Sequence, residues 1–458
     1  MEEILKEVLK RVKPEEAEIK RLDRFSRFIT KKVRDTAEAL SIEIEVILVG
    51  SAARSTWVSG EHDVDLFILF DPSEVRAELE LNGIEIGKRV VGDDYTNDEF
   101  YCISHEKEYA EHPYIKAVFG SGAGSKYDVD IVPCFAVHDP SKIESAVDRT
   151  PFHNRYIISK IGGLEDEVLL LKQFMKGIGV YGSELRRRGF SGYLTELLVI
   201  NYGSFLGVLK EASNIWKKGM LIDIESHGTY EEDDPLVVID PVDPMRNVAA
   251  ALSIDNFSRF IDEASMFLAD PAIEFFFPPP IDGLEQEEFI SILRERGTKM
   301  LFVVFDAPPL VEDIIFPQLR RSGEAAVELL QREGFRVYKK DEWADDEHAV
   351  ILLELEVSEL PHIKKHPGPP VWSRKHAPKF KLKHADAKFG IYIEDGRYAV
   401  DIERRYTYAG DFLNAKLRET SLGKNLKNAQ FRIIEAEKII DTLKLKEEFK
   451  EFLRAYLS

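Results

Sequence analysis

Between residues 46 and 70 the chain reads Val46-Ile-Leu-Val-Gly-Ser-Ala-Ala-Arg-Ser-Thr-Trp-Val-Ser-Gly-Glu-His-Asp-Val-Asp-Leu-Phe-Ile-Leu-Phe70. This pattern predicts a strand, a tight turn at Gly50-Ser51, the start of a helix and a second strand. Asp63 and Asp65 open the second strand, and residues two apart share a face, roughly 7 Å apart at their Cα atoms. At an effective dielectric of about 20 their charges repel by roughly 2 kcal/mol, which favours a bound cation. The alternative is that Asp63 ends a loop and Asp65 faces water at a sheet edge.

A second acidic strand follows in Tyr127-Asp-Val-Asp-Ile-Val-Pro-Cys134. Its acids, Asp128 and Asp130, alternate in the same way, so spacing alone does not decide between them. Three carboxylates on neighbouring strands are the usual scaffold for two-metal phosphoryl or nucleotidyl transfer. The sequence therefore predicts a magnesium-dependent transferase site built on two strands.

Gly50-Ser51, Asp63-Val-Asp65 and a later Asp130 resemble the nucleotidyltransferase signature of the DNA polymerase β superfamily. Within that superfamily the chain is similar to the archaeal, class I CCA-adding enzymes over nearly its whole length. The segments that carry this resemblance include Gly50–Trp57, Val129–Cys134, Ser145–His153, Arg188–Tyr193, Asp240–Asp243, Arg246–Ala250, Arg296–Thr298, Phe316–Leu319 and Gly423–Asn425.

The resemblance implies a reaction, a cofactor and partners. It implies addition of C, C and A, in order and without a template, to tRNA lacking all or part of its 3′ CCA. CTP and ATP are the substrates, pyrophosphate is released and Mg²⁺ is the cofactor. It also implies repair of damaged ends, tandem CCACCA marking of unstable tRNAs and a homodimer. The alternatives are a poly(A) polymerase or oligoadenylate synthase of the same superfamily, or a non-catalytic RNA-binding module.

The predicted catalytic and metal-binding residues are Asp63, Asp65 and Asp130. The family most often has Glu at the first of these positions, one methylene longer than Asp63. The turn at Ser51 and the guanidinium of Arg54 offer donors to a triphosphate. An ordinary N-cap is the alternative role for Ser51.

The other nucleotide-binding residues come from the resemblance alone. It implies that Thr150, His153, Lys172 and Tyr181 complete the nucleotide site and that Arg246 reads the base. Without it, His153 is a structural histidine, Lys172 a solvated lysine, Tyr181 a packed loop aromatic, and Arg246 the partner of Asp243 in a salt bridge.

Composition places limits on the class of protein. The 458 residues are 44% hydrophobic and 31% charged, which is typical of a soluble chain with several cores. No apolar run approaches the ~20 residues of a membrane helix, and the charged N-terminus is unlike a signal peptide. Two cysteines, Cys102 and Cys134, fit a reducing compartment, so we expect a cytoplasmic protein without a membrane partner.

The predicted fold class is α+β with several domains. We expect a polymerase-β-like palm of mixed sheet and helices at residues 1–150 and a helical nucleotide-binding domain at 151–275. A C-terminal α+β region that binds tRNA would occupy 276–458, with residues 410–456 largely helical. The boundary is set at Phe275-Phe-Phe-Pro-Pro-Pro280, because consecutive prolines favour an extended connector.

The net charge of −20 argues against broad adhesion to nucleic acid. The run from Lys364 to Lys388 reverses that sign locally, with eight cations and one acid, Asp386. It predicts a surface that follows RNA phosphates, with a solvated surface as the alternative and Arg186-Arg-Arg188 as a second candidate. Four histidines lie in or just before this run, namely His362, His366, His376 and His384. They lack cysteine partners and metal-ligand spacing, so we predict no zinc site there.

Overall fold

The computed structural model describes residues 1–92, 99–109, 112–122, 124–139, 143, 145, 147–228, 230, 233–443 and 446–457. Part of Ser145–His153, which contributes to the resemblance, lies outside these residues at position 146. The chain divides into two compact units, an N-terminal unit, Met1–Pro279, and a C-terminal unit, Pro280–Ser458. Each unit is described by itself.

The first half of the N-terminal unit is a five-stranded sheet with helices. Its elements are α1 (Glu2–Val12), α2 (Glu16–Ala39), β1 (Glu45–Val49), α3 (Gly50–Arg54), β2 (Asp63–Phe70), α4 (Arg76–Val91), β3 (Phe100–Tyr109), β4 (Pro113–Ser121) and β5 (Lys126–Phe135). The strand order is β1-β2-β5-β4-β3, in which β2 and β5 are parallel and the other pairs antiparallel. The predicted mixed sheet is therefore confirmed.

Helix α2 buries one face in the core of this sheet. Leu22, Phe25, Ile29 and Val33 are buried there. The Phe25 ring stacks on Tyr127 of β5, with ring centroids 4.0 Å apart. Burial of such side chains is worth about 1.5–3 kcal/mol each, so α2 anchors the strand that carries Asp128 and Asp130.

The second half of the N-terminal unit is mainly helical. Its elements are α5 (Thr150–Lys160), α6 (Glu165–Gly177), α7 (Gly192–Tyr202), α8 (Phe205–Asn214), β6 (Met220–Ile222), β7 (Leu236–Asp240), β8 (Asp243–Asn247) and α9 (Ile254–Ala269). A core rich in phenylalanine joins α6 to α9. The three-stranded sheet β6-β7-β8 is an addition to the predicted helical region. Sequence reasoning missed it because β6 and β8 are short, and because β8 is polar.

The C-terminal unit is α+β, as predicted. Its elements are α10 (Gln286–Arg296), β9 (Lys299–Asp306), α11 (Glu312–Glu333), β10 (Arg336–Ala344), β11 (His348–Val357), β12 (Ile363–Pro370), α12 (Ala377–Lys383), β13 (Ile391–Glu394), β14 (Arg397–Glu403), α13 (Ala409–Lys416), β15 (Phe431–Glu435), α14 (Ala436–Leu443) and α15 (Glu447–Leu457). The strands form sheets of order β10-β11-β9-β15 and β12-β14-β13. The largely helical tail expected at 410–456 also contains the strand β15, which pairs with β9.

Strand β9 is buried on both faces, which explains its unbroken apolar sequence. Leu301, Val303 and Phe305 pack with α11, whereas Phe302 and its alternate neighbours pack with α10, α14 and α15. A strand covered by helices on both sides reads as a continuous hydrophobic run.

Within the described residues, no single helix is long and apolar enough to cross a membrane. Helices α7 and α8 are long and apolar enough only when taken together, and the chain bends by 88° between them.

Candidate active site

Four aspartates form two rows across β2 and β5. The parallel register places Asp63 beside Asp128 and Asp65 beside Asp130. The row of Asp65 and Asp130 lies deeper, and its neighbours on the outer strands are Val49 and Lys116. Asp63 and Asp128 lie at the exposed start of their strands. The predicted pair of acidic strands is therefore adjacent and in register.

The electrostatics of these rows are unfavourable without a cation. Burial, the Asp130 carboxylate and the Asp63 carboxylate raise the pKa of Asp65 to about 7. Burial raises the pKa of Asp130 to about 6, against the opposing effect of Lys116. Partial desolvation by the surrounding protein and the Asp128 carboxylate raise the pKa of Asp63, although its side chain reaches the surface. Buried carboxylates that repel one another are typical of sites whose ionised form is stabilised by a ligand.

Gly50 is required by the carboxylate of Asp65. Its φ of +74° lies in the left-handed region, and a Cβ built on it would collide with Oδ2 of Asp65. Glycine is the residue that accepts both the backbone angle and the close approach. The turn and the acid therefore form one structural element.

The donor set fits a hard divalent cation such as Mg²⁺, which prefers carboxylate oxygens. In the described part of the chain, no group of three or more His, Cys, Asp or Glu side chains is arranged closely enough to hold a metal ion. A bound cation would offset the repulsion among these carboxylates.

The structure places Arg54 in a buried ion pair. Its Nε donates to Oε1 of Glu196 at 2.9 Å, and its Nη1 donates to Oδ1 of Asn154 at 3.1 Å. The same Glu196 oxygen accepts from the hydroxyl of Thr56 at 2.6 Å. Glu196 is fully buried, and its Oε2 has no hydrogen-bond partner among the described atoms. Sequence reasoning missed Glu196, although a lone acid in the apolar helix α7 was a signal.

Lys172 and Tyr181 lie near this ion pair. The Nζ of Lys172 is buried and donates to the backbone oxygen of Thr56 at 2.7 Å, so the alternative of a solvated lysine is wrong. Burial, partly offset by Glu196, lowers the pKa of Lys172 to about 8. Burial raises the pKa of Tyr181, and its hydroxyl borders Gly192 together with Lys172.

Ser51 and Thr150 lie at helix starts. Val49 is the N-cap of α3, and no side chain caps this short helix, so the alternative of an N-cap role for Ser51 is wrong. Thr150 is the first residue of α5 and is followed by Pro151, and proline is common in the first turn of a helix. Both residues are partly exposed.

His153 and Arg246 meet at one carboxylate that sequence reasoning did not select. Oδ2 of Asp240 lies 2.8 Å from Nε2 of His153 and 2.7 Å from Nη1 of Arg246. The alternative of an Arg246–Asp243 salt bridge is wrong, because Asp243 pairs with Arg149 at 2.8 Å. Both acids belong to Asp240-Pro-Val-Asp243, and the closer spacing to Arg246 favoured the wrong one.

Comparison with known proteins places this site in a class. A family model described as "Nucleotidyltransferase domain" matches residues 30–153, which include both acidic strands and the Gly50 turn. The models "tRNA nucleotidyltransferase, second domain" and "CCA-adding enzyme, C-terminal domain" match residues 166–277 and 296–436. The fold and site are therefore those of a nucleotidyltransferase.

Curated relatives narrow the class. The CCA-adding enzyme of Methanosarcina acetivorans is 46% identical over 98% of this chain and 97% of its own length. The enzyme of Methanosarcina barkeri is 46% identical over 100% of this chain and 98% of its own length. The enzyme of Methanothermobacter thermautotrophicus is 38% identical over 98% of this chain and 97% of its own length. The chain belongs to the CCA-adding enzyme family, as its motifs predict.

Proposed function

We propose that the chain completes and repairs the 3′-terminal CCA of tRNA. It adds C, C and A in order from CTP and ATP, without a template and with release of pyrophosphate. The observation that carries this proposal is the in-register pair of acidic strands at the Gly50 turn, in a chain similar to CCA-adding enzymes over its full length. Tandem CCACCA marking of unstable tRNAs is part of the same proposal.

Asp63, Asp65 and Asp130 are the proposed ligands of Mg²⁺. When bound there, Mg²⁺ neutralises charge on the reacting phosphate and lowers the pKa of the attacking hydroxyl. The three carboxylates would hold the cation in position, and the buried Lys172 adds a positive charge nearby. Ser51, Arg54, Thr150, His153 and Tyr181 are proposed to surround the triphosphate. Arg54 contributes through its remaining N–H groups, because Nε and one Nη1 bond are already in use.

Arg246 is suited to select the base. Among the described residues, Asp240 is its one hydrogen-bond partner, and the side chain is 36% exposed. A guanidinium carries five N–H donors and no acceptor, so most of its donors remain for a ligand. Cytosine N3 and adenine N1 are acceptors, whereas uracil N3 and guanine N1 carry hydrogens. A donor directed at this ring nitrogen therefore favours CTP and ATP over UTP and GTP.

The direct test uses tRNA that ends at the discriminator base. It is incubated with Mg²⁺, CTP and ATP, and the 3′ ends are sequenced. We expect CCA on stable tRNAs. Runs of A would instead indicate a poly(A) polymerase or oligoadenylate synthase, and no extension in the presence of binding would indicate an RNA-binding module.

The basic run of the C-terminal unit is the proposed RNA surface. Lys364, Lys365 and Lys388 are neutralised by Glu333, Glu394 and Glu403, which is a correction to the predicted continuous face. Other cations are exposed and have no acidic partner in the described part of this unit. These are Arg374, Lys375, Lys379 and Lys383. They lie on or next to α12.

An exposed aromatic side chain accompanies these cations. Trp372 is 73% exposed and lines a groove with Arg374, Lys381 and Tyr398. Aromatic side chains beside cations can stack on unpaired bases while the cations contact phosphates. Within the same segment the ring of His366 stacks on Phe380.

Neutralising Lys379, Lys381 and Lys383 together should raise the KM for tRNA and leave the KM for CTP and ATP unchanged. The salt dependence of RNA binding should flatten by roughly 0.7–0.9 in slope for each phosphate interaction that the substitutions remove. Neutralising the paired Lys364 and Lys388 is the matched control and should have a smaller effect. Unchanged affinity and slope in the triple variant would show that the run is only a solvated surface. Arg186-Arg-Arg188 is then the next candidate, in which Arg187 already pairs with Glu184.

The oligomeric state, the compartment and the division into domains are proposed from the family resemblance. We propose a homodimer in the cytoplasm, with a palm at residues 1–150, a central nucleotide-binding domain at 151–275 and a tRNA-binding region at 276–458. Both cysteines are free thiols, which fits a reducing compartment. Light scattering of the purified chain tests the dimer, since a monomeric mass at assay concentration would contradict it.

A further inference from the structure

Asp240 is the end of β7, and its side chain is completely buried. Its Oδ2 accepts hydrogen bonds from His153 Nε2 at 2.8 Å and from Arg246 Nη1 at 2.7 Å. Its Oδ1 accepts from the hydroxyl of Tyr193 at 3.2 Å and from the backbone N–H of Val242 at 3.1 Å. Four donors from α5, α7, β8 and the β7–β8 turn therefore converge on one carboxylate.

This carboxylate is ionised in the folded protein. Burial alone would raise the pKa of Asp240, but the hydrogen bonds from His153, Val242 and Arg246 hold it below its ordinary value. A carboxylate accepts about four hydrogen bonds, so its capacity is filled. A filled buried acceptor fixes the orientation of each donor, because any rotation would leave a polar group unpaired.

Tyr193 also restricts the orientation of His153, because it packs against the face of the imidazole ring. The two rings stack with centroids 4.1 Å apart and an interplanar angle of 24°. His153 is thus held at one ring nitrogen by Asp240 and across its plane by Tyr193. Arg246 is held at one of its two terminal nitrogens, and the rest of its guanidinium is left for a ligand.

We propose that Asp240 is a positioning residue that sets nucleotide selectivity in this chain. It fixes Arg246 at the angle needed to read the base and fixes His153 beside the triphosphate, so that the two residues act as one unit. Base selection and phosphate binding are then coupled through a single oxygen. The inference rests on the proposed function, and it assigns a role to a residue outside the predicted site.

Asp240→Asn is the test, because it keeps the size of the side chain and removes its charge. The measurement is kcat/KM for CTP, ATP, UTP and GTP on tRNA substrates that end before each position of CCA. We expect the preference for CTP and ATP over UTP and GTP to fall by about tenfold or more, the usual range for one base-edge contact. The KM for all four nucleotides should rise.

Asp243→Asn is the matched control. Asp243 lies three residues away and pairs with Arg149 instead of the nucleotide residues, so its removal should leave the preference unchanged. A merely structural role for Asp240 would lower activity with every nucleotide alike. An unchanged preference in folded Asp240→Asn would overturn the proposal.

Two further variants keep the test decisive. Asp240→Glu keeps the charge and shifts the carboxylate by one methylene; it should also lose preference, and it replaces Asp240→Asn if that variant does not fold. In a His153→Ala background, Asp240→Asn should raise the KM less than it does in the native chain. Equal effects in both backgrounds would refute the coupling.

Arg246→Ala separates this inference from the function on which it depends. If Arg246→Ala leaves the preference unchanged, base reading by Arg246 is wrong and the proposed selection mechanism fails. If Arg246→Ala changes the preference and both Asp240 variants do not, only the role of Asp240 is wrong.

Discussion

Replacing Asp65 by Asn should stabilise the metal-free protein while abolishing its activity. A pKa of about 7 against an ordinary 3.8 means that the fold disfavours the ionised carboxylate by up to about 4 kcal/mol. Part of that cost is shared with Asp130 and Asp63, and a buried Asn still needs hydrogen-bond partners. We therefore expect Asp65→Asn to add about 1–3 kcal/mol to the free energy of unfolding at pH 8.

The assay is thermal and urea unfolding in buffer with EDTA at several pH values. The pKa of Asp65 is higher in the folded protein than in the unfolded chain, so its destabilising effect is complete above about pH 7. It fades as the pH falls from there towards 3.8, because the folded protein takes up the proton first. The advantage of Asp65→Asn should therefore shrink on acidification, and it should also shrink when Mg²⁺ is added.

Asp128→Asn is the control for Asp65→Asn. Asp128 shares the face but is exposed at the start of its strand, so its replacement should change stability much less. The reasoning is refuted if Asp65→Asn is destabilising or neutral at pH 8 without metal. A stability gain that does not depend on pH would equally contradict the electrostatic explanation.

Three further predictions concern the same site. Asp63→Ala, Asp65→Ala and Asp130→Ala should each reduce both C and A addition by about 10²-fold or more in folded protein, whereas Asp128→Ala should be milder; near-normal turnover would remove that residue from the metal site. Gly50→Ala should lower activity strongly, because the new Cβ meets Asp65 and the backbone angle is unfavourable, and unchanged kcat would contradict that constraint. The Mg²⁺ concentration for half-maximal activity should rise as the pH falls below about 7, because protons compete for Asp65 and Asp130; a constant requirement between pH 8 and 6 would exclude this competition.

The strand pattern allowed the acidic rows to be predicted, because alternation with a period of two fixes the face of each side chain. That β2 and β5, some sixty residues apart, are neighbours was inferred from their shared acidic pattern, and the register now gives their pairing. Contacts made by charged side chains were harder to predict. Arg54 pairs with Glu196 of a distant helix, and Arg246 pairs with Asp240 instead of the nearer Asp243. Three-dimensional packing decides such pairings, and distance along the sequence does not.

The parallel pairing of β2 and β5 also has a consequence for how the enzyme gains its activity during folding. Asp65 and Asp130 become neighbours only once β5 has paired with β2, across an intervening segment that contains α4, β3 and β4. Such long-range pairing is slow, because loop-closure entropy must be overcome before the favourable interactions form. Recovery of activity after dilution from urea should therefore follow formation of the sheet and lag behind early helix formation. The growing chain on the ribosome is likewise without an acidic site until β5 has emerged and paired.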